Sequence, residues 1–207
     1  MSANTYRIYV ACLAAYNAGK LHGEWFDLED YTDADDLQEA IAARVLRTSP
    51  CPNVVVDIDC PTCEGAGSLN NENYGTTCPD CKGTGVKSVP SSEEWAVHDY
   101  DGDIFKDCGE HPNFEKLFEA MEMAEKHGDA WLAFKNYFGD SATVDNFEDA
   151  NRGAYDSFEA FVEEWCCEAY GWKGDEPFFS WIDWERAARD FEGDYTYTEG
   201  YVFDSSF

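Results

Sequence analysis

The pattern CPxCxGxG occurs twice in this chain, and it limits the possible folds more than any other feature of the sequence. Zinc binds four thiolates in a tetrahedron, and two CxxC pairs supply two ligands each. Glycines that follow each second cysteine let the backbone turn tightly, so that its amides can approach sulfur. Because all four positions are cysteine, no coordination position stays open, which predicts a structural rather than a catalytic Zn²⁺ ion. The predicted ligands are Cys60, Cys63, Cys78 and Cys81.

The segment around these cysteines, residues 59–91, differs in composition from the rest of the chain. It is rich in Gly, Asn, Thr and Ser and poor in large apolar residues, so it cannot build a core of its own. We therefore interpret residues 51–91 as a zinc-binding insertion, with two disulfides or a redox-active CxxC pair as the alternatives. The repeat resembles the CxxCxGxG knuckles of DnaJ-type zinc domains over about thirty residues, without a His-Pro-Asp tripeptide. One candidate function is therefore a zinc-dependent, acidic protein-binding adaptor or chaperone-like module.

The first 105 residues mix strand-like and helical patterns, which predicts an α+β fold. Runs of β-branched and aromatic residues predict strands, and apolar residues at every fourth position predict a helix that begins after Asp33. The predicted elements are a hairpin at 6–13 and 22–28, a helix through Leu37, Ile41 and Val45, and a strand at 94–100. We interpret residues 1–105 as an N-terminal α+β domain that the insertion interrupts.

Amphipathic helices dominate the second half. Apolar residues recur three and four positions apart near 114–127, 131–138, 156–169 and 184–191, and residues 195–203 predict a closing hairpin. We predict a helical middle domain at 106–152 and a C-terminal α/β domain at 153–207. The predicted fold class is thus α+β, with several small domains along the chain.

The charge balance excludes several partners. The chain carries 43 Asp and Glu against 14 Lys and Arg, for a formal net charge of -29, and 30 of these acids lie in residues 91–207 with only 8 bases. Direct binding to nucleic acid or to an anionic membrane needs a basic surface, so neither is expected. No apolar run reaches the length of a membrane span and no secretory signal is visible, which predicts a cytoplasmic protein.

Two predicted helices carry stripes of carboxylates opposite their apolar faces, with few bases placed to neutralise them. Neighbours at this spacing lie about 5–6 Å apart and repel one another. Four interpretations are open: a solvated surface, adaptation to high salt, divalent metal binding, or imitation of a polyanion. At one charge per ~1.7 Å of duplex, 29 charges correspond to roughly 49 Å of DNA. The striped residues are Glu115, Glu119 and Glu122, and Asp156, Glu159, Glu163, Glu164 and Glu168.

The sequence gives weaker support to a calcium loop, to a catalytic site and to an aromatic ligand cage. Acids from Asp99 to Glu110, including Asp107, match the spacing of a calcium loop, but Ile104 occupies the position where such a loop needs Gly. The Walker, GxGxxG, HExxH and GxSxG motifs are absent, so no enzymatic activity is expected. The aromatic residues at 178–184 favour a core or a dimer interface over a ligand cage.

Four segments resemble the ArdA antirestriction proteins. They are YRIYVACLAAYNAGKLHGEWFDL, EEWAVHDYDGD, FVEEWCCEAYG and WIDWERAARDFEGDYTYTEGYVF, in this order along the chain. Together they cover most of the sequence but not residues 51–91, so the zinc insertion lies outside the resemblance. The segment from Trp181 to Phe191 resembles the antirestriction motif of the family.

The resemblance implies an elongated, curved homodimer of three small α/β domains that imitates bent B-form DNA. The implied partner is a type I restriction–modification enzyme, whose basic DNA groove the protein occupies so that incoming mobile DNA escapes cleavage. No catalysis is implied. We expect the antirestriction-like motif to lie at the dimer interface, through Trp181, Ile182, Asp183, Trp184, Ala187 and Phe191.

Overall fold

The computed structural model describes residues 6–71, 74–105 and 108–207, which form a mixed α and β structure as the sequence predicts. The main helices are α1 Leu13–Asn17, α2 Ala34–Ile41, α3 Phe114–His127, α4 Asp129–Phe138, α5 Val144–Ala150, α6 Phe158–Tyr170 and α7 Trp184–Phe191. The strands are β1 Arg7–Cys12, β2 Gly23–Asp27, β3 Val54–Asp59, β4 Ser68–Asn71, β5 Tyr74–Thr77, β6 Val86–Ser91, β7 Trp95–Asp101, β8 Asn151–Ala154, β9 Tyr195–Thr198 and β10 Tyr201–Asp204.

An antiparallel sheet in the order β2–β1–β7 lies at the centre of the N-terminal unit. Successive side chains of a strand point to opposite faces, and Ile8 and Val10 of β1 are fully buried. Helix α2 begins at a cap in which the Asp36 backbone N–H donates to the Asp33 side chain over 2.9 Å. Its π-helical continuation, Ala42–Leu46, packs against β1 and β2. The predicted hairpin and helix are therefore present, although β1 ends early because the chain enters α1.

The insertion consists of two separate antiparallel pairs. Strands β3 and β6 form a two-stranded ribbon, and β4 and β5 form a hairpin beyond it. The two ends of the insertion meet at a neck, which we define as residues 46–53 and 91–94. There the Asn53 N–H donates to the Ser91 carbonyl, and the Ser92 N–H donates to the Leu46 carbonyl, each over 3.0 Å.

The C-terminal unit has an antiparallel sheet in the order β8–β10–β9. Phe134 of α4, Phe147 of α5 and Phe203 of β10 are fully buried and pack ring against ring. A second cluster joins α6, α7 and the hairpin through residues such as Phe161 and Val202. The sequence missed α5 and β8, because α5 is short and β8 reads Asn-Arg-Gly-Ala without β-forming residues.

The chain divides into two compact units, Met1–Phe118 and Glu119–Phe207. The finer division into domains at 1–105, 106–152 and 153–207 stays a prediction. Among the residues that the structure describes, no helix combines the length and the apolar character that crossing a bilayer demands.

Candidate metal centre and carboxylate surface

The four predicted zinc ligands converge on one point of the insertion. The Sγ atoms of Cys60 and Cys78 are 3.8 Å apart, those of Cys63 and Cys81 are 3.7 Å apart, and all four lie within 4.8 Å of one another. A tetrahedron with metal–sulfur bonds of about 2.3 Å has edges of about 3.8 Å. A disulfide would need about 2.05 Å, so these sulfurs are thiols and the disulfide alternative is wrong. Four cysteines are therefore arranged to hold one metal ion.

The two knuckles hold their cysteines in the same way, as the repeated sequence predicts. The Gly67 N–H donates to Cys63 Sγ over 3.2 Å, and the Gly85 N–H donates to Cys81 Sγ over 3.3 Å. Each knuckle is also bonded to the other. The Cys60 N–H donates to the Gly85 carbonyl over 2.8 Å, and the Cys78 N–H donates to the Gly67 carbonyl over 2.9 Å. The amides thus approach sulfur as expected, and the two halves form one unit.

Glycine is required at the last position of each repeat. Gly67 and Gly85 have φ angles of +70° and +77°, which L side chains rarely adopt. A Cβ on Gly67 would lie 2.5 Å from the carbonyl oxygen of Gly83, and a Cβ on Gly85 would lie 2.2 Å from that of Gly65. Each glycine therefore makes room for the backbone of the opposite knuckle.

The cysteines form most of the core of the insertion. Cys60 and Cys78 are fully buried, Cys63 and Cys81 are 7% exposed, and Leu69 is the partly buried apolar residue packed against them. Leu69 is a contact that the sequence analysis missed, although it is a rare large apolar side chain in this segment. Reactive cysteines are usually partly exposed. The burial of all four therefore disfavours the redox alternative.

Without metal, the pKa values of the Cys63 and Cys81 thiols lie far apart. Burial and the neighbouring thiols raise the pKa of Cys63 to about 12, against donation from the Gly67 N–H. At Cys81, burial also raises the pKa, but hydrogen bonds from the Gly85 and Gly83 N–H groups and from the Cys63 and Cys78 thiols together outweigh it and lower the pKa to about 6. A divalent cation that binds four thiolates must therefore displace protons from this cluster.

Helix α3 presents the first predicted carboxylate stripe to solvent. Glu115, Glu119 and Glu122 are exposed, whereas Phe114 and Leu117 on the opposite side are buried. The apolar periodicity thus correctly indicated which face of α3 is buried. None of these three carboxylates forms an ion pair with a described residue. The electrostatic repulsion among them along α3 is therefore not neutralised by a Lys or Arg side chain.

The second predicted stripe is less uniform than the first. Glu164 and Glu168 of α6 are exposed, Glu159 and Glu163 are half-buried, and Asp156 is exposed but precedes the helix, which begins after the capping Ser157. Burial raises the pKa of the Tyr155 hydroxyl, and the negative charges of Glu164 and Glu168 raise it further. Burial together with Glu163, Glu176 and Glu164 likewise raises the pKa of Cys167. This end of α6 is therefore a region of negative potential.

The antirestriction-like motif divides between core and surface. Trp184, Ala187 and Phe191 pack against the buried cluster of α6 and α7. Asp183 caps α7, since its side chain accepts the Arg186 N–H over 3.0 Å, and Ile182 is half-buried. Trp181 is different, because it is 81% exposed.

The calcium-like pattern does not assemble. Asp107 lies outside the described residues, Asp101 is paired with Arg7 over 2.8 Å, and Ile104 is buried. Within the described ranges, the cysteine cluster is the one group of three or more His, Cys, Asp or Glu side chains close enough to share a metal ion.

A protein-family model described as antirestriction protein (ArdA) matches residues 8–203. This match begins near the start of β1 and ends within β10, so its bounds take in nearly the whole chain and the segment from Trp181 to Phe191. No curated protein matches the sequence.

Proposed function

Because the chain belongs to the ArdA antirestriction family, whose members are inhibitor proteins, we propose that it inhibits type I restriction–modification enzymes by imitating B-form DNA. Its exposed carboxylates would take the positions of phosphates in the basic groove of the enzyme. There, Lys and Arg side chains that normally contact DNA would form charge-assisted hydrogen bonds with them. The protein acts by occupying this groove and catalyses no reaction.

The unneutralised carboxylates are the observation that carries this proposal. The ion pairs of the described residues use other acids, such as Asp101, Glu24 and Glu148. The eight predicted mimic carboxylates form no ion pair among the described residues, so they stay available to cations of a partner. A net charge of -29 also speeds the approach of a basic partner at low salt.

The test is displacement of a labelled duplex from a purified type I enzyme over a series of salt concentrations. Mimicry predicts that inhibition weakens steeply as salt rises. Replacing Glu115, Glu119 and Glu122 together with Gln removes three charges and should lower the slope of log affinity against log salt by roughly 2–3, if each counts as a phosphate. The triple Asp variant keeps the charges and is the matched control. Inhibition that does not change with salt contradicts the proposal.

We further propose that Cys60, Cys63, Cys78 and Cys81 hold a structural Zn²⁺ ion. The sulfur separations suit a tetrahedral ion, and four thiolates suit zinc among abundant cellular metals. Elemental analysis of the purified protein should find about one zinc per chain. The C60S/C78S double variant should contain none. Zinc-free wild-type protein with four reduced thiols would contradict this assignment.

The same double variant separates inhibition from the adaptor function suggested by the DnaJ-like knuckles. If the carboxylates act as a DNA mimic, C60S/C78S should keep its inhibition, which makes the insertion accessory. Loss of inhibition in a variant whose α-helical and β-sheet content is otherwise retained would favour a zinc-dependent adaptor.

The exposed Trp181 supports a homodimer interface at the antirestriction-like motif. Exposed Trp residues are common anchors of protein interfaces. W181A should therefore be monomeric in sedimentation experiments and keep the helix and sheet content of the wild type. W184A is the matched control, because Trp184 packs against the buried cluster of α6 and α7, and its loss should unsettle the fold rather than the dimer. A W181A protein that sediments like the wild type would exclude this interface.

A further inference from the structure

The buried core of the insertion contains little besides its four cysteines. Its buried cluster contains the four ligands, with Leu69 packed against them. Strands β3 and β6 form a ribbon that no third strand joins among the described residues. An isolated two-stranded ribbon is marginally stable at best in water. The folded form of the four strands β3 to β6 therefore depends on a contribution other than apolar burial.

The ribbon connects the metal centre directly to the neck. The β3–β6 register runs from Asp59 opposite Val86, next to the ligand Cys60, to Val54 opposite Ser91. The Cys60 N–H extends the ladder by donating to the Gly85 carbonyl. One hydrogen-bonded ladder thus runs from the cysteine cluster to the neck, so folding of the knuckles and of the ribbon is coupled.

The neck, in contrast, is held by hydrogen bonds outside the ribbon. Ser91 and Ser92 are buried, and the Ser92 hydroxyl donates to the Cys51 carbonyl over 3.1 Å. The Ser92 N–H donates to the Leu46 carbonyl at the end of the π-helical turn. Strands β1 and β7 pair directly, without any residue of the insertion between them. The sheet can therefore close whether or not the insertion is folded.

We propose that the insertion is a metal-dependent conformational switch, in which binding of a thiophilic divalent cation orders strands β3, β4, β5 and β6 while the N-terminal sheet stays folded in both states. This inference rests on the proposed metal site. Binding and folding are coupled because the four thiolates come together only in the folded knuckles. The metal-free protein keeps its acidic helices and the β2–β1–β7 sheet.

The experiment is amide hydrogen exchange on the full chain, with Zn²⁺ alone added to protein that a chelator has stripped under reducing conditions. Zinc should slow exchange of the β3 and β6 amides by roughly 100-fold or more, and exchange in β1 and β7 should change little. C60S/C78S should show fast exchange in the ribbon with or without zinc. The C167S variant, which changes a cysteine far along the chain, should behave as the wild type.

Three results would overturn the switch. Slow exchange of β3 and β6 in the stripped protein would show that the insertion folds without metal. Fast exchange of β1 and β7 after stripping would show that the two parts do not fold separately. A protein that binds no zinc in a direct titration would refute the metal site itself, and the switch with it. Inhibition of the restriction enzyme is measured separately, so failure of DNA mimicry is distinguishable from all three.

Discussion

Replacing Gly85 with Ala tests the knuckle geometry more sharply than removing a ligand does, because all four cysteines remain. The new Cβ would lie 2.2 Å from the Gly65 carbonyl oxygen, and the neighbouring atom is backbone that cannot rotate away. The knuckles must therefore separate. This movement breaks the bond from the Gly85 N–H to Cys81 Sγ and the bond from the Cys60 N–H to the Gly85 carbonyl.

The expected loss of zinc affinity in G85A follows from the backbone strain and the broken hydrogen bonds. A left-handed backbone costs a non-glycine residue about 1–2 kcal/mol. A hydrogen bond to a charged group contributes about 1.5–3 kcal/mol. Their sum is about 2.5–5 kcal/mol, and at about 1.4 kcal/mol for each factor of ten it lowers zinc affinity by roughly two to four orders of magnitude. The loss appears in metal affinity because folding of the knuckles and metal binding are coupled.

The assay is a competition titration of Zn²⁺ against a chromophoric chelator, with Gly65→Ala as the matched control. Gly65 has φ +79°, nearly that of Gly85, but its Cβ would meet only the Asp59 side chain, at 3.2 Å. The control therefore carries the same backbone cost without the clash between knuckles. We expect G85A to lose at least tenfold more affinity than G65A. Equal losses in the two variants would refute the reasoning.

Three further predictions concern pH and packing. Zinc affinity should rise with pH through the neutral range, because zinc must displace the proton of Cys63, whose pKa is raised to about 12. Equal affinities at about pH 6 and about pH 8 in the chelator assay would contradict this prediction. The pKa of Asp204 is lowered from 3.8, chiefly because the Ser206 hydroxyl and N–H donate to its carboxylate, and Arg152 lowers it further. The stability that this carboxylate contributes is therefore present above pH 3.8 and is lost as the pH falls through the lowered pKa. D204N should therefore melt below the wild type near neutral pH and converge with it in strong acid, as thermal melts from about pH 6 to about pH 2 can show. F203A empties a fully buried site among aromatic rings and should lower the free energy of unfolding by about 3–5 kcal/mol in urea titrations, whereas a change below about 1 kcal/mol would mean that the core refills.

The sequence predicted elements wherever the local pattern and the packing agree. Leu37, Ile41 and Val45 are spaced for one helix face and are all fully buried. The four cysteines could be assigned because ligand spacing and glycine positions are local properties of the knuckle. The same local reasoning identified the buried face of α3, and so the exposure of Glu115, Glu119 and Glu122.

Elements that depend on distant partners could not be predicted in this way. Strand β8 has no strand-forming residues, and it exists because β10, some fifty residues later, pairs with it. The ribbon partner β6 contains Lys87 and Pro90, which disfavour a strand until β3 lies beside them. Asp156 seemed to belong to a helical stripe, but the Ser157 cap starts α6 after it. Spacing alone does not determine where a helix begins.

The interlocked glycines restrict how this metal-binding segment can change. The space beside Gly67 is filled by the Gly83 carbonyl, and the space beside Gly85 by the Gly65 carbonyl. A foreign CxxC hairpin with the same ligands but a different loop would collide with the half that remains. Protein engineers who wish to transplant this centre must therefore move both repeats together, and a library that randomises one repeat should recover glycine at its last position.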